Sequence, residues 1–188
     1  MAMEKLQVFC DIETERLFLR KLDDQDLEFV FKQFSDPLVS QYIYDEAPLV
    51  DKSGAKEIIN FFKEQDGKSY NRWGMVIKNT SEMIGTIGFH HWDKERFHAE
   101  IGYDLYPDWW GKGFMTEAMI AVLCHGFEVM NLNRIEAFIY PENERSMNLA
   151  KKFGFQVEGI LRDYFYLNGR FYDHAFLSLL KREWKLKH

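Results

Sequence analysis

Basic blocks, long apolar runs and paired cysteines are all missing from this chain of 188 residues, and each absence removes a class of function. Its 24 Lys and Arg against 30 Asp and Glu leave a formal net charge of −6. Without a basic stripe, nucleic acid is not expected as the main partner, and the acidic balance suits a cationic ligand. No run reaches the ~18 apolar residues of a membrane span, so no membrane partner is expected. The opening MAMEKLQVF lacks the apolar stretch of a signal peptide, which makes the expected location cytoplasmic. Cys10 and Cys124 are far apart and form no metal or redox spacing, so both read as reduced thiols. The six histidines show no zinc-protease pattern, and His90 and His91, adjacent on a strand, are expected to point to opposite faces. No metal is expected.

The chain has what a folded domain needs. Hydrophobic residues make up 46% and charged residues 29%, with no linker, repeat or low-complexity tract, so one domain over residues 1–188 is expected. Residues 16–21 (RLFLRK) alternate as a first strand. Asp23 or Asp24 then caps a helix carrying Leu27, Val30, Phe31 and Phe34. DKSGAKEIINFFKEQ gives a second amphipathic helix that ends at Gly67. RWGMVIK, EMIGTIGFHHW and HAEIGYDLY read as an antiparallel meander. Helical spacing returns over 113–130, followed by a strand in NRIEAFIY, which makes strands 99–106 and 133–140 a parallel pair. A helix in NERSMNLAKKF stops at Gly154, and two strands joined by the turn NGR complete the chain.

The stretch PDWWGKGFMTEA sets Gly111 and Gly113 immediately before the long helix. A helix begins with four N–H groups that lack intrahelical partners, and its dipole makes that end positive. Bare glycine backbone lets a phosphate approach those donors, Lys112 can add charge and Thr116 a hydroxyl; the alternative is a turn that merely joins strand to helix. A Walker loop is absent, and a dinucleotide fingerprint needs a third glycine where Thr116 stands.

Residues 108–113 (DWWGKG), followed in order by NLNRIEAFIYPENERSMNLAKKFGFQVEG and LRDYFYLNGRFYDH, resemble the GCN5-related N-acetyltransferase (GNAT) superfamily, and within it the branch that acetylates ribosomal-protein N-termini. The resemblance covers roughly residues 14–184 and departs at Asp108, where the superfamily often has Gln or Arg. It implies an α+β (α/β) fold with a mixed, mostly antiparallel central sheet of about seven strands, a splayed parallel pair and helices on both faces. Acetyl-CoA is the implied co-substrate. Backbone around Leu105 and Tyr106 would hold its pantetheine, Gly111, Lys112, Gly113, Phe114, Met115 and Thr116 its pyrophosphate, and Asn143 its amide region.

Acetyl transfer to an amine needs a base for the ammonium, a donor for the oxyanion and a proton for the leaving thiolate. Glu100 shares a strand face with Gly102 and occupies the place of a glutamate in the superfamily's pattern, so it is the candidate base; the alternative is a solvated or salt-bridged strand glutamate. The tyrosine that protonates the thiolate in many relatives is matched here by Ala150, and Ser146, one turn earlier, is the candidate donor. Phe165 replaces an acidic residue used by some of the branch. Trp73, His90, Trp92, Tyr164 and Tyr166 read first as packing residues, with the acceptor side of the site as the alternative, and Lys151 and Lys152 read first as helix-end lysines facing water, with contact of one of them to the cofactor's 3′-phosphate as the alternative.

The implied activity is N-acetylation of a protein N-terminus or a small amine such as a polyamine through a ternary complex. A non-catalytic acyl-CoA-binding or sensing module and an RNA-binding protein are the other readings. A homodimer is left open.

Overall fold

Leu17 and Leu19 on one strand and Trp73, Met75 and Ile77 on another alternate with residues that face the opposite way, and this period of two sets up a sheet buried on both sides. In the computed structural model, which describes residues 8–43, 47–65 and 67–185, that sheet has eight strands. In chain order they are β1 (Ile12–Glu13), β2 (Leu17–Lys21), β3 (Asn71–Ile77), β4 (Met83–Asp93), β5 (His98–Leu105), β6 (Arg134–Ile139), β7 (Gln156–Leu167) and β8 (Arg170–Leu180). Their spatial order is β1-β2-β3-β4-β5-β6-β8-β7. Every neighbouring pair is antiparallel except β5 and β6, which run parallel because a helical crossover joins them. The eighth strand is the two-residue β1, which pairs Ile12 with Leu19 and is too short to show a period in sequence.

Helix α1 (Leu27–Ser35), the short α2 (Pro37–Ser40) and α3 (Lys52–Glu64) precede β3. Val30, Ala55 and Ile59 pack with Leu22, Val76 and Met83 on one sheet face. On the other face α4 (Phe114–Cys124) and α5 (Glu144–Phe153) bury Phe114, Ala118, Met119, Val122, Ala150 and Phe153 against Trp73, Phe89 and Ile135. A terminal turn, α6 (Lys181–Lys185), follows β8 and adds Trp184 to this larger core.

The expected cap of the first helix is met by Asp23, whose carboxylate accepts from Gln25 N–H and opens a 3-10 turn that runs into α1. The long helix expected over 113–130 is α4 continued by one π turn over His125–Val129. Among the described residues no helix is long and apolar enough to cross a membrane.

Candidate active site

Strands β5 and β6 pair only at His98↔Arg134, Ala99↔Ile135 and Glu100↔Glu136, although β5 runs on to Leu105 and β6 to Ile139. Past Glu100 the two separate, leaving backbone edges that are not joined to each other. A cleft of about 720 Å³ opens there, lined by Glu100, Gly102, Tyr103 and Ser146 along with α3 and the last residues of β6.

On the face covered by α1 and α3, β5 presents Glu100, Gly102 and Asp104. Glu100 is mostly buried, its side chain 22% exposed, and its Oε2 lies 3.1 Å from His91 Nδ1. The contact depends on a β-bulge. His90 pairs with Glu100 and Asp93 with His98, so two β4 residues lie between those pairs where β5 has one, and His91 takes φ +48°. The expectation that His90 and His91 face opposite ways is therefore wrong, and both line the cleft. Because a carboxylate only accepts, His91 donates to it.

Beneath Glu100 lies a buried polar network. Arg72 Nε donates to Thr86 Oγ1 (2.7 Å), its second amino group is paired with Asp104 Oδ2, and its NH1 lies 3.0 Å from His90 Nε2. Asp104 also accepts from Thr86 Oγ1 (2.6 Å), Thr86 N–H (3.2 Å) and Gln33 Nε2 (2.8 Å). With four donors the Asp104 carboxylate is satisfied, as a buried charge must be. Burial, with the charge of Arg72 and then His91, pushes the His90 imidazole down to about 3, so it is neutral at ordinary pH.

On the opposite face of β5, Tyr103 Oη meets Ser146 Oγ of α5 at 2.7 Å. Burial raises the Tyr103 phenol to about 12, against the opposing effect of its bond to Ser146. Asn143 caps α5 by accepting from Ser146 N–H (3.1 Å), which fixes the first turn and hence the serine. Ala150 is only 2% exposed and belongs to the core, while Ser146 lines the cleft.

The glycine loop brings bare backbone to the start of α4. Gly111 has φ +73° and Gly113 φ +82°, left-handed values that residues with a Cβ adopt at a cost. Gly113 is the N-cap of α4 and contributes no side-chain cap to the N–H groups of Phe114, Met115 and Thr116. The loop is tied down from the N-terminal side. Arg16 NH1 donates to Lys112 O (3.1 Å), while its backbone N–H and Nε donate to the two oxygens of Glu117 on α4 (2.7 and 2.6 Å). Lys152 Nζ of α5 lies 3.5 Å from Thr116 Oγ1, so one of the two lysines singled out in sequence does stand beside the loop. Lys112 Nζ sits 4.5 Å over the Trp109 ring. The two residues expected to hold pantetheine already use part of their backbone: Leu105 O accepts from Trp110 Nε1 (2.7 Å) and Tyr106 N–H donates to Ile84 O (2.9 Å). A ligand running along β5 must displace the indole or bond to other groups of that edge.

Of the aromatic residues read as packing, Trp73 is wholly buried and donates its indole N–H to Cys10 O (2.8 Å), and Tyr164 stacks on Phe138 with centroids 5.6 Å apart. His90 differs, since it lines the cleft. Among the described residues no group of three or more His, Cys, Asp or Glu is arranged to hold a metal. Sequence reasoning missed Tyr103, Arg72, Asp104, His91 and Arg16. Strand alternation puts Tyr103 opposite the Glu100–Gly102 face, so its side of the sheet was readable; its partner was not.

The family model described as an acetyltransferase (GNAT) domain matches residues 16–156. The uncharacterized N-acetyltransferase p20 of Bacillus licheniformis is 44% identical over 173 residues, covering 91% of this chain and 96% of that protein. The [ribosomal protein uS5]-alanine N-acetyltransferase of Escherichia coli is 28% identical, with 92% of each chain covered. The structure of spermidine N-acetyltransferase from Vibrio cholerae in complex with CoA and spermine superposes with a TM-score of 0.80 at 25% identity, covering 90% of this chain and 98% of that one.

Proposed function

This chain belongs to the GNAT acetyltransferase family and is an N-acetyltransferase, and we propose that it moves the acetyl group of acetyl-CoA directly to a primary amine, either a protein N-terminus or a small amine. The observation that carries the reading is the opening of β5 from β6 immediately past Glu100, between the uncapped start of α4 and the Tyr103–Ser146 hydroxyl pair. Backbone N–H groups of Phe114, Met115 and Thr116, with Gly111, Lys112 and Gly113 before them, suit a pyrophosphate in charge and in the absence of side chains. In this reading the backbone of Leu105 and Tyr106, just before the loop, holds the pantetheine, and Asn143, which lines the cleft, meets the cofactor's amide region.

In this reading Glu100, oriented by His91, takes the proton that the acceptor ammonium gives up, directly or through one water. The amine forms its C–N bond as the C–S bond breaks. The nitrogen then loses its second proton, which replaces the one that Ser146, backed by Tyr103, gives to the departing thiolate, so that no charge is stranded on the serine, the amide or the thiol. No covalent acyl-enzyme is required. A relative acting on ribosomal protein uS5 and a neighbouring structure holding spermine both support an amine acceptor. The test is incubation of the purified protein with acetyl-CoA and a panel of N-terminal peptides and polyamines, following free CoA thiol. Thiol release that depends on an amine supports the reading; tight acetyl-CoA binding with no turnover on any amine would make the protein a binding module.

A further inference from the structure

Arg72 decides the protonation of His90. A guanidinium carries only N–H donors and no acceptor lone pair, so the 3.0 Å contact between Arg72 NH1 and His90 Nε2 is a hydrogen bond only if Nε2 holds the lone pair. Arg72 cannot rotate away to relieve this, because Thr86 and Asp104 fix its other two nitrogens. The neutral ring must then carry its one hydrogen on Nδ1. Rings of Phe62 and Tyr70 pack against the imidazole at 6.2 and 5.6 Å and hold its plane.

Nδ1–H has no hydrogen-bond partner among the described residues. Gly102 leaves it room. A Cβ at that position would lie 2.8 Å from His90 Cε1 and 3.4 Å from Nδ1, so the absent side chain is what keeps this edge of the ring open to the cleft. Glu100, two residues along the same strand face, is the cross-strand partner of His90. The cleft therefore sets an acceptor, Glu100, beside a donor that cannot become an acceptor.

We propose that His90 is a specificity-determining donor: its Nδ1–H takes a carbonyl oxygen adjacent to the amine being acetylated, which favours acceptors of the α-amino acyl type over simple alkylamines. This rests on the acetyltransferase reading above. In a peptide N-terminus the first carbonyl oxygen is close to the nitrogen, whereas a diamine has no acceptor oxygen and its burial would leave Nδ1–H unsatisfied. The effect of one such hydrogen bond is about tenfold in selectivity.

The test compares kcat/KM for a short peptide with a free α-amine and for a diaminoalkane, in the wild type, His90→Leu and His90→Asn. Asn retains an N–H donor near the Nδ1 position and Leu has none. The wild type is expected to prefer the peptide, His90→Leu to lose about tenfold on the peptide with little change on the diamine, and His90→Asn to keep most of the preference. Equal losses on both amines in His90→Leu, or no loss on either, would overturn the proposal, because a folding defect scales both rates together. Absence of turnover by the wild type on every amine contradicts the acetyl-transfer reading itself and takes this inference with it. A measurement independent of catalysis is the long-range ¹H–¹⁵N spectrum of the His90 imidazole in the protein alone. The Nδ1–H form is expected, and an Nε2–H or doubly protonated ring overturns the argument whatever the kinetics show.

Discussion

Tyr103 Oη and Ser146 Oγ lie 2.7 Å apart, one on β5 and the other on α5, so a single hydroxyl pair ties the strand before the gap to the helix after it. A phenol raised to about 12 stays protonated at neutral pH and, being a weaker acid than an ordinary thiol at ~8.5, gives up no net proton; with Ser146 it hydrogen-bonds the thiolate as it departs and relays to it the proton released by the amine nitrogen. Ser146→Ala and Tyr103→Phe are each expected to slow the chemical step by about tenfold to a hundredfold, at the low end of general acid effects. Because the two act as one unit, the double variant should be little worse than either single one. Single-turnover rates measured for all three check this, and additive losses would separate the two hydroxyls. Since Ala150 sits in the core, placing a tyrosine there would disturb packing before it met the cleft.

The loop prediction follows from backbone geometry. Gly113→Ala adds a Cβ where φ is +82°, at a cost of about 1–2 kcal/mol, and crowds the backbone donors proposed to hold the pyrophosphate. Acetyl-CoA affinity by calorimetry is expected to fall by more than the thermal stability change alone explains. An unchanged affinity would remove the loop from the cofactor site.

Asp104 and Arg72 form a buried ion pair, with side chains 5% and 9% exposed. Asp104→Ala leaves the guanidinium uncompensated and should cost about 3–5 kcal/mol. Urea unfolding measures it. A loss within the range of a surface substitution would mean that water reaches Arg72 and that the network is not a rigid floor for the cleft.

Acid should weaken the fold through His90. An unfolded histidine protonates near its ordinary value of about 6.5, whereas His90 in the fold does so only at about 3, so between these pH values the unfolded state binds more protons and stability rises with pH. The stability of the neutral ring is thus fully present above about pH 6.5 and is lost as pH falls toward 3. His125, pushed down by burial against the opposing effect of its bond to Val8, acts in the same direction. Unfolding free energies measured over that range should fall less steeply in His90→Asn than in the wild type.

How far the sequence reaches depends on the range of the interaction. Alternation in HAEIGYDLY and helical spacing after Gly113 located β5 and the start of α4 within a residue or two, because periodicity is a local property that burial enforces. The parallel pairing of β5 with β6 followed from the crossover between them. The short β1, α2 and α6 were illegible, each being five residues or fewer. At the site, Glu100 and Ser146 were found through a resemblance, and the cleft holds both. Arg72, Thr86, Gln33 and Asp104 come from four different elements and meet only through tertiary packing, so no spacing could announce them. The bulge that turns His91 toward Glu100 is one extra residue in a strand that otherwise reads as continuous.

The most direct test of the account is the pH dependence of single-turnover acetyl transfer to a peptide α-amine in the wild type and in Glu100→Gln. An α-amine titrates at about 7.7–8.0, so below that pH the base must remove a proton before attack, and above it the amine arrives neutral. If Glu100 is the base, Glu100→Gln should be slower by about a hundredfold or more near pH 6.5, with acetyl-CoA affinity unchanged, and the gap should narrow as pH rises past the amine's own titration. A deficit that stays constant across pH, or that lies wholly in KM for the amine, would contradict the assignment and leave Glu100 as a residue that only anchors the substrate or braces His91.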